Sequence, residues 1–158
     1  MSSPASIAKH PIHPMLVPFP IALWIFSFVS DLVYALNWGG ALWKDIAFVT
    51  MAGGVIGALV AAVPGYLDYR SVKAPDVQRI GRWHMILNLS IAILFTINLW
   101  LRVGNDAGAT LPVILSFLGI AMLGISGWLG GELVYVHGVS VEGQTRPSKE
   151  KRERDRAA

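Results

Sequence analysis

The sequence contains no cysteine, and only 15% of its 158 residues are charged. The absence of cysteine excludes disulfides, thiolate metal sites and cysteine nucleophiles. The scarcity of charge, together with 54% hydrophobic residues and a mean hydropathy of +0.53, is typical of membrane proteins. The chain also lacks a Walker A loop, a Gly-x-Gly-x-x-Gly unit, a Ser-His-Asp set and a His-Glu-x-x-His pattern. No familiar catalytic motif therefore points to a reaction.

Charged residues are missing from three long segments and nearly missing from a fourth. Residues 46–67, 83–101 and 107–131 hold none, and residues 15–36 hold one, Asp31. A bilayer core about 30 Å thick needs roughly 20 helical residues to span it. Four buried helices of a soluble protein would each show a polar face, which these segments lack. The sequence therefore predicts an all-α integral membrane protein, a four-helix bundle with up-down-up-down topology.

Proline and the polar residues predict where the helices begin and end. Four prolines between residues 11 and 20 predict an extended segment and a first helix that begins only near Phe19. That helix ends near Leu36, and Asn37-Trp38-Gly39-Gly40 predicts a short turn after it. The other helices are expected over residues 45–67, 79–101 and 111–135. No internal repeat is obvious.

Three regions follow from these boundaries. They are an N-terminal segment (1–14), a transmembrane domain (15–137) and a basic tail (138–158) that we expect to be largely disordered beyond residue 142. A basic tail beside a membrane is explained by orientation and by attraction to anionic lipid, so no nucleic-acid partner is predicted. The expected partners are the lipid bilayer and either a second copy of the chain or a membrane redox protein.

Lysine and arginine are concentrated on one side of the predicted bundle. The opposite side has only Lys44 and Arg102. Because cytoplasmic segments carry the excess of basic residues, both termini are predicted to lie in the cytoplasm. The residues on the terminal side are Lys9, Arg70, Lys73, Arg79, Arg82, Arg146, Lys149, Lys151, Arg152, Arg154 and Arg156.

All four histidines are predicted to lie at that cytoplasmic edge. His10 and His13 precede the first apolar segment, His84 opens the third, and His137 follows the fourth. Histidine is the commonest metal ligand among side chains, so their convergence indicates a metal site. Two forms are considered: haem b bound by His84 and His137, and a transition metal bound by all four histidines. The prolines after His10 and His13 predict a rigid, non-helical segment for that pair.

Four other polar residues are candidates to support this site. Asp68 and Glu132 lie on the same side and are candidate hydrogen-bond partners of ligating histidines. Asn88, one helical turn from His84, would orient its imidazole or bond to a neighbouring helix. Asp31 lies deeper in the first helix. It is interpreted as a proton relay, as a partner of a polar group such as Asn98, or as a helix-end residue that reaches the far interface.

A different interpretation needs no cofactor. The histidines would then only join the helices by hydrogen bonds, in a structural or assembly subunit of a membrane complex. Small residues at four-residue spacing, at 53, 57, 61 and 65 and again at 127 and 131, predict the close helix packing that either interpretation requires. A transporter is a third interpretation, and four short spans with one buried acid offer it little pathway.

Five short motifs are spread along the chain. They are His10-Pro-Ile-His13-Pro, Phe19-Pro-Ile-Ala-Leu23, Gly65-Tyr-Leu-Asp68, Trp83-His84 with Asn88, and Gly130-Gly-Glu132-Leu-Val-Tyr-Val-His137-Gly. Together they resemble a family of small bacterial inner-membrane proteins that is classed as a domain of unknown function. The resemblance covers roughly residues 8–141 and implies four helices in a bacterial inner membrane. Some relatives are joined to Rieske-type iron–sulfur domains, which implies a link to electron transfer.

Overall fold

Four helical segments form an antiparallel bundle. The computed structural model describes residues 3–103 and 110–141. Within them, four segments are long and apolar enough to cross a membrane: Ile12–Ala35, Leu42–Ser71, Pro75–Arg102 and Thr110–Val136. At most 28% of the most apolar window of any segment is buried inside the protein, so most of the apolar side chains face outward, where lipid would cover them. The predicted all-α membrane bundle is confirmed.

The first span begins earlier than the sequence indicated. Strands β1 (Ser6–Ile7) and β2 (His10–Pro11) form a short antiparallel hairpin, and helices α1 (Ile12–Leu16) and α2 (Pro18–Ala35) follow directly. The expectation of an extended, non-helical segment up to Phe19 is therefore wrong. The physical reason is that the first turn of a helix does not use its own N–H groups. A proline there removes no hydrogen bond.

The second and third spans are also longer than predicted. Helix α3 covers Leu42–Ser71 and helix α4 covers Pro75–Arg102, so only three residues separate them. A longer loop was expected because Pro75 and the nearby charges look like a break in the sequence. Pro75 instead occupies the first turn of α4, where its fixed φ favours a helix start. This extension carries His84 nine positions into α4, about 13 Å from its first residue.

The fourth span changes its winding near its end. Helix α5 covers Thr110–Gly131, and a π-helical turn covers Glu132–Val136. Single π turns within helices are rare and often accompany functional sites. The segment after it reverses at Gly138, which has a φ of 63°. The turn predicted at residues 104–108 and the tail beyond residue 141 lie outside the described residues.

The bundle consists of two equivalent helical hairpins, a repeat that the sequence did not reveal. Several contacts between α2 and α3 have a counterpart between α4 and α5 at constant sequence spacing. Ser27 donates to the Ala47 carbonyl and Asn98 to the Pro112 carbonyl. Trp24 packs on Gly54 in the first hairpin, and Phe95 packs on the corresponding glycine of α5, Gly119. Positions on α2 therefore match positions 71 residues later on α4, and both hairpins run in the same direction.

Equivalent residues meet where the two hairpins face each other. The Trp24 and Phe95 rings stack with centroids 4.5 Å apart and an interplanar angle of 11°. With Met51, Ile91 and Leu123 they form the main hydrophobic core. A pseudo-two-fold axis consequently runs along the bundle between α2 and α4. We call the two ends of this axis the His13 end and the Asp31 end, after the residues that lie there.

Glycine packing follows the prediction in one helix and departs from it in the other. A Cβ at Gly53 would lie 3.3 Å from Leu23, and one at Gly57 would lie 3.3 Å from Pro20, so α2 and α3 approach closely there. A Cβ at Gly127 would meet no atom within 4 Å, and one at Gly131 only its own Tyr135. The predicted packing role of the last two glycines is wrong within the described chain, because that face of α5 turns outward.

Candidate functional site

His13 lies in α1 and packs against α3. Its Nδ1 is 2.8 Å from the carbonyl oxygen of Ala61. Because a carbonyl oxygen only accepts, Nδ1 carries the proton and donates it, which leaves the Nε2 lone pair available. The ring lies on Gly65, where an added Cβ would be 2.7 Å from both Cε1 and Nδ1. A glycine is therefore needed at position 65 for the imidazole to reach the helix backbone.

His84 repeats this arrangement in the second hairpin. Its Nδ1 donates to the carbonyl oxygen of Ser126 over 3.0 Å. Its ring lies against Gly130, where an added Cβ would be 3.1 Å from Cε1. The histidines are 71 positions apart, their carbonyl partners are 65 apart, and so are the two glycines. The two imidazoles therefore occupy equivalent positions under the pseudo-two-fold axis.

Asn88 lies beside the second imidazole. Its Nδ2 is 2.7 Å from the His84 carbonyl oxygen, 2.7 Å from Ser126 Oγ and 3.2 Å from His84 Nε2. An amide nitrogen has two protons, and the two short contacts to oxygen use both. The amide thus joins α4 to α5 through Ser126, one of the two roles considered from the sequence. Its 3.2 Å contact to His84 Nε2 is the longest of the three.

The other two histidines lie apart from this pair. His10 is exposed in the terminal hairpin, where its Nδ1 donates to the Ala8 carbonyl over 2.9 Å. His137 follows the π-helical turn, with its Nε2 3.9 Å from a Glu132 oxygen. Residues 3–103 and 110–141 contain no group of three or more His, Cys, Asp or Glu side chains placed to hold a metal ion. The four predicted histidines are thus not gathered into one cluster.

Asp68 ties both terminal segments to the end of α3. The carboxylate is 5% exposed. Its Oδ1 accepts a hydrogen bond from Ser3 Oγ, and its Oδ2 accepts one from Ser140 Oγ over 3.1 Å. The predicted support of a ligating histidine is not among the contacts of Asp68. Its two oxygens instead close the His13 end of the bundle.

Asp31 is the centre of a buried polar network at the opposite end. It is 6% exposed and receives two hydrogen bonds from Arg102, of 2.6 and 2.7 Å. Ser116 Oγ donates to the same carboxylate over 2.8 Å. Arg102 also donates to Asn98 Oδ1 over 3.2 Å, so the predicted link between Asp31 and Asn98 runs through the guanidinium. The sequence had assigned Arg102 only to a loop.

Trp24 supplies the one unpaired polar atom among the buried side chains that the structure describes. Its Nε1 has no hydrogen-bond partner, and its indole edge lies against the backbone at Gly54.

Three pairs of equivalent residues lie along the axis in order. The histidine pair lies at one end, the aromatic stack lies midway, and the aspartate–arginine pair lies at the other end.

These features define a class: a multi-pass helical membrane protein built from two equivalent hairpins, with ionisable residues along their shared axis. The chain belongs to the family described as predicted membrane protein DUF2231, which matches residues 9–143. That match confirms the resemblance found in the sequence motifs. No curated protein and no solved structure matches the chain.

Proposed function

We propose that the protein binds haem b between His13 and His84 and acts as an electron-transfer module of the membrane. The single observation behind the proposal is the equivalent state of the two imidazoles. Each donates Nδ1–H to a backbone carbonyl and keeps its Nε2 lone pair. Metal-ligating histidines almost always donate their other ring N–H in this way, which fixes both the tautomer and the ring orientation.

The number of available ligands favours haem over a bare metal ion. A transition-metal ion held by the protein alone commonly needs three or four ligands. Among the described residues no three His, Cys, Asp or Glu side chains are placed to hold a metal ion, and His13 and His84 are two equivalent imidazoles. Haem iron receives four nitrogens from its macrocycle, so it needs few ligands from the protein. His13 and His84 would supply them.

The residues of the chain have separate roles in this proposal. His13 and His84 would hold the haem, and the Ala61 and Ser126 carbonyls orient their rings. Gly65 and Gly130 give each ring access to the neighbouring helix backbone. Asn88 joins α4 to α5 beside His84. When bound, haem b stores and releases one electron. His10 and His137, which the sequence had offered as ligands, have no part in this site.

The location of the site follows from the distribution of basic residues. We infer that the His13 end faces the cytoplasm of a bacterial inner membrane, because the topology predicted from the sequence assigns 11 of the 13 lysines and arginines to that side. Arg102 is one of the two basic residues of the opposite side, and its charge is neutralised by Asp31 inside the bundle. The excess of free positive charge at the His13 end is therefore larger than the count alone indicates. The expected redox partner is therefore a protein that approaches from the cytoplasm or within the membrane.

Absorption spectroscopy of the purified protein tests the proposal. Wild type, His13→Ala and His84→Ala are prepared in mild detergent and titrated with haem, with His10→Ala as the matched control at an exposed histidine. Wild type and the control are expected to bind one haem per chain with a low-spin, bis-imidazole spectrum. Each site variant is expected to lose that spectrum. A wild-type protein that stays colourless after reconstitution would overturn the haem proposal.

The second candidate is a cofactor-free assembly subunit, and the same hydrogen bonds favour it. The imidazoles join α1 to α3 and α4 to α5 through backbone carbonyls, which is enough to give them a structural role. In that case His13→Ala and His84→Ala lower the thermal stability of the protein, and no form of the protein binds haem. The titration and a melting curve on the same samples separate the two functions.

A further inference from the structure

A groove follows the outer seam between α4 and α5. Its volume is about 570 Å³, and it is open on the side away from the bundle axis. Ile86 and Leu87 line it from α4, and Ile125 and Leu129 line it from α5. Ile86 is 42% exposed and Ile125 is 60% exposed, so the apolar surface is uncovered in the isolated chain. The histidine pair does not line this groove, which separates it from the site above.

The end of the groove nearest the His13 end carries a positive charge. Arg79 lies there, four positions before the exposed Trp83, which also lines the groove. Within residues 3–103 and 110–141, no carboxylate is within ion-pair distance of Arg79. Tryptophan is enriched where the hydrocarbon meets the headgroups, so Trp83 indicates the depth of that boundary. An unpaired guanidinium at that depth suits a phosphate group.

The length of the groove identifies the kind of molecule that fits it. Arg79 and Ser90 mark its two ends along α4 and are eleven positions apart. At 1.5 Å per residue this is about 16 Å, or roughly half of a 30 Å hydrocarbon core. A partner helix would need a surface as long as the whole membrane. A phospholipid occupies one leaflet, with its charge at one end and its chain toward the middle.

We propose that this groove binds one anionic phospholipid. Its phosphate contacts Arg79, and one acyl chain lies along Ile86 and Leu87 against Ile125 and Leu129. Basic pockets between transmembrane helices recognise anionic lipids by the same combination of charge and apolar wall. The lipid would fasten α4 to α5 beside His84, on the side of the bundle that the α2–α3 hairpin does not cover.

Native mass spectrometry of the detergent-purified full chain tests this proposal. The protein is titrated with phosphatidylglycerol and with phosphatidylcholine of identical acyl chains. Arg79→Gln is expected to weaken phosphatidylglycerol binding about fivefold and to leave phosphatidylcholine binding unchanged. Arg82→Gln is the matched control, because Arg82 is an exposed neighbour outside the groove. Equal losses in the two variants, or no loss in Arg79→Gln, would show diffuse attraction and overturn the proposal.

A second variant tests the apolar wall. Ile125→Trp fills the groove and is expected to weaken binding of both lipids, whereas Ile114→Trp, at an exposed position of α5 outside the groove, changes neither. Normal lipid binding by Ile125→Trp would contradict the assigned path of the chain. A dimer that forms without lipid and is abolished by Ile125→Trp would assign the groove to a second copy of the protein instead.

Discussion

Asp31 and Arg102 occupy equivalent positions in the two hairpins, 71 residues apart, and form a two-bonded ion pair across the pseudo-two-fold axis. Their side chains are 6% and 9% exposed. Equivalent positions on a two-fold axis meet each other, so an exact repeat would bring two like residues together here. In this protein the two equivalent positions carry opposite charges instead, Asp31 in the first hairpin and Arg102 in the second. This is where the two halves differ most in charge along the axis.

Removing one member of this pair is expected to destabilise the bundle strongly. Arg102→Leu leaves a buried carboxylate without its counterion, and such changes cost about 3–5 kcal/mol. The double variant Asp31→Leu with Arg102→Leu is expected to be more stable than either single variant, since no unpaired charge remains. Thermal unfolding in detergent measures the three. A double variant less stable than both single variants would contradict this account of the pair.

Exchanging the two charges tests the pseudo-symmetry itself. The double variant Asp31→Arg with Arg102→Asp is expected to fold and to recover most of the stability that each single charge reversal loses. The physical reason is that each site would offer its new residue an equivalent position across the axis. Ser116 bonds to the carboxylate from one side only, so some loss is expected to remain. No recovery in the exchanged protein would show that the two positions are not interchangeable.

Gly57→Leu is expected to destabilise the first hairpin by about 1–3 kcal/mol through overpacking. A Cβ at this position would already lie 3.3 Å from Pro20 Cδ and 3.5 Å from the Pro20 backbone nitrogen, which has little freedom to move. Gly127→Leu is the matched control. It makes the same substitution within a helix where a Cβ meets nothing within 4 Å. Ala22→Leu, at an exposed position of α2, is expected to be equally mild. Equal melting temperatures for all three variants would refute the close contact at Gly57.

Asp68→Ala is expected to release both terminal segments while the four helices stay folded. Ser3 and Ser140 lose a shared acceptor, so the β-hairpin and the segment after the π-helical turn are held less firmly. Hydrogen exchange should become faster at the Ile12 amide, which bonds to the Ala5 carbonyl, and at the Val139 amide. Asp76→Ala, at an exposed acid in the first turn of α4, provides the comparison. Unchanged protection from hydrogen exchange in Asp68→Ala would show that Asp68 does not hold the two terminal segments in place.

The orientation in the membrane is tested with reporters at both termini. The basic bias predicts that an N-terminal and a C-terminal fusion both report a cytoplasmic location. A reporter at Gly40, in the short turn between α2 and α3, is expected to report the opposite side. A C-terminal reporter active only outside the cytoplasm would reverse the side assigned to the histidine pair, while leaving its geometry unchanged.

The four helices could be predicted from the sequence. The residues at which they begin and end were predicted less accurately. Membrane insertion depends on the hydrophobicity of the side chains, summed over a segment of about 20 residues. The four spans can therefore be identified in the sequence without knowledge of any tertiary contact. Helix ends depend on local hydrogen bonding. Pro14, Pro18 and Pro75 look like breaks in the sequence, but each occupies a first helical turn, where no N–H is required.

The candidate site could be predicted only in part from the sequence. His13 and His84 were both named as candidate ligands, but their equivalence was not predicted, because His84 was considered with His137 of the antiparallel fourth span. The internal repeat relates His84 to His13. That repeat is hidden because lipid-facing positions accept almost any apolar residue, so identity survives only where the hairpins pack closely. His13 and His84 are one such matching pair, as are Gly54 and Gly119, and Gly65 and Gly130.

The sequence by itself determined that this chain has four membrane-spanning helices with connections short enough to make them an antiparallel bundle. Only the tertiary structure decided that Asp31 meets Arg102, that Asp68 bonds to Ser3 and Ser140, and that His13 and His84 are equivalent. The physical reason is that partition into lipid depends on the composition of a helix. Contact across the axis depends on how each helix is rotated about its own length, and an apolar surface on every side leaves that rotation open until the helices pack.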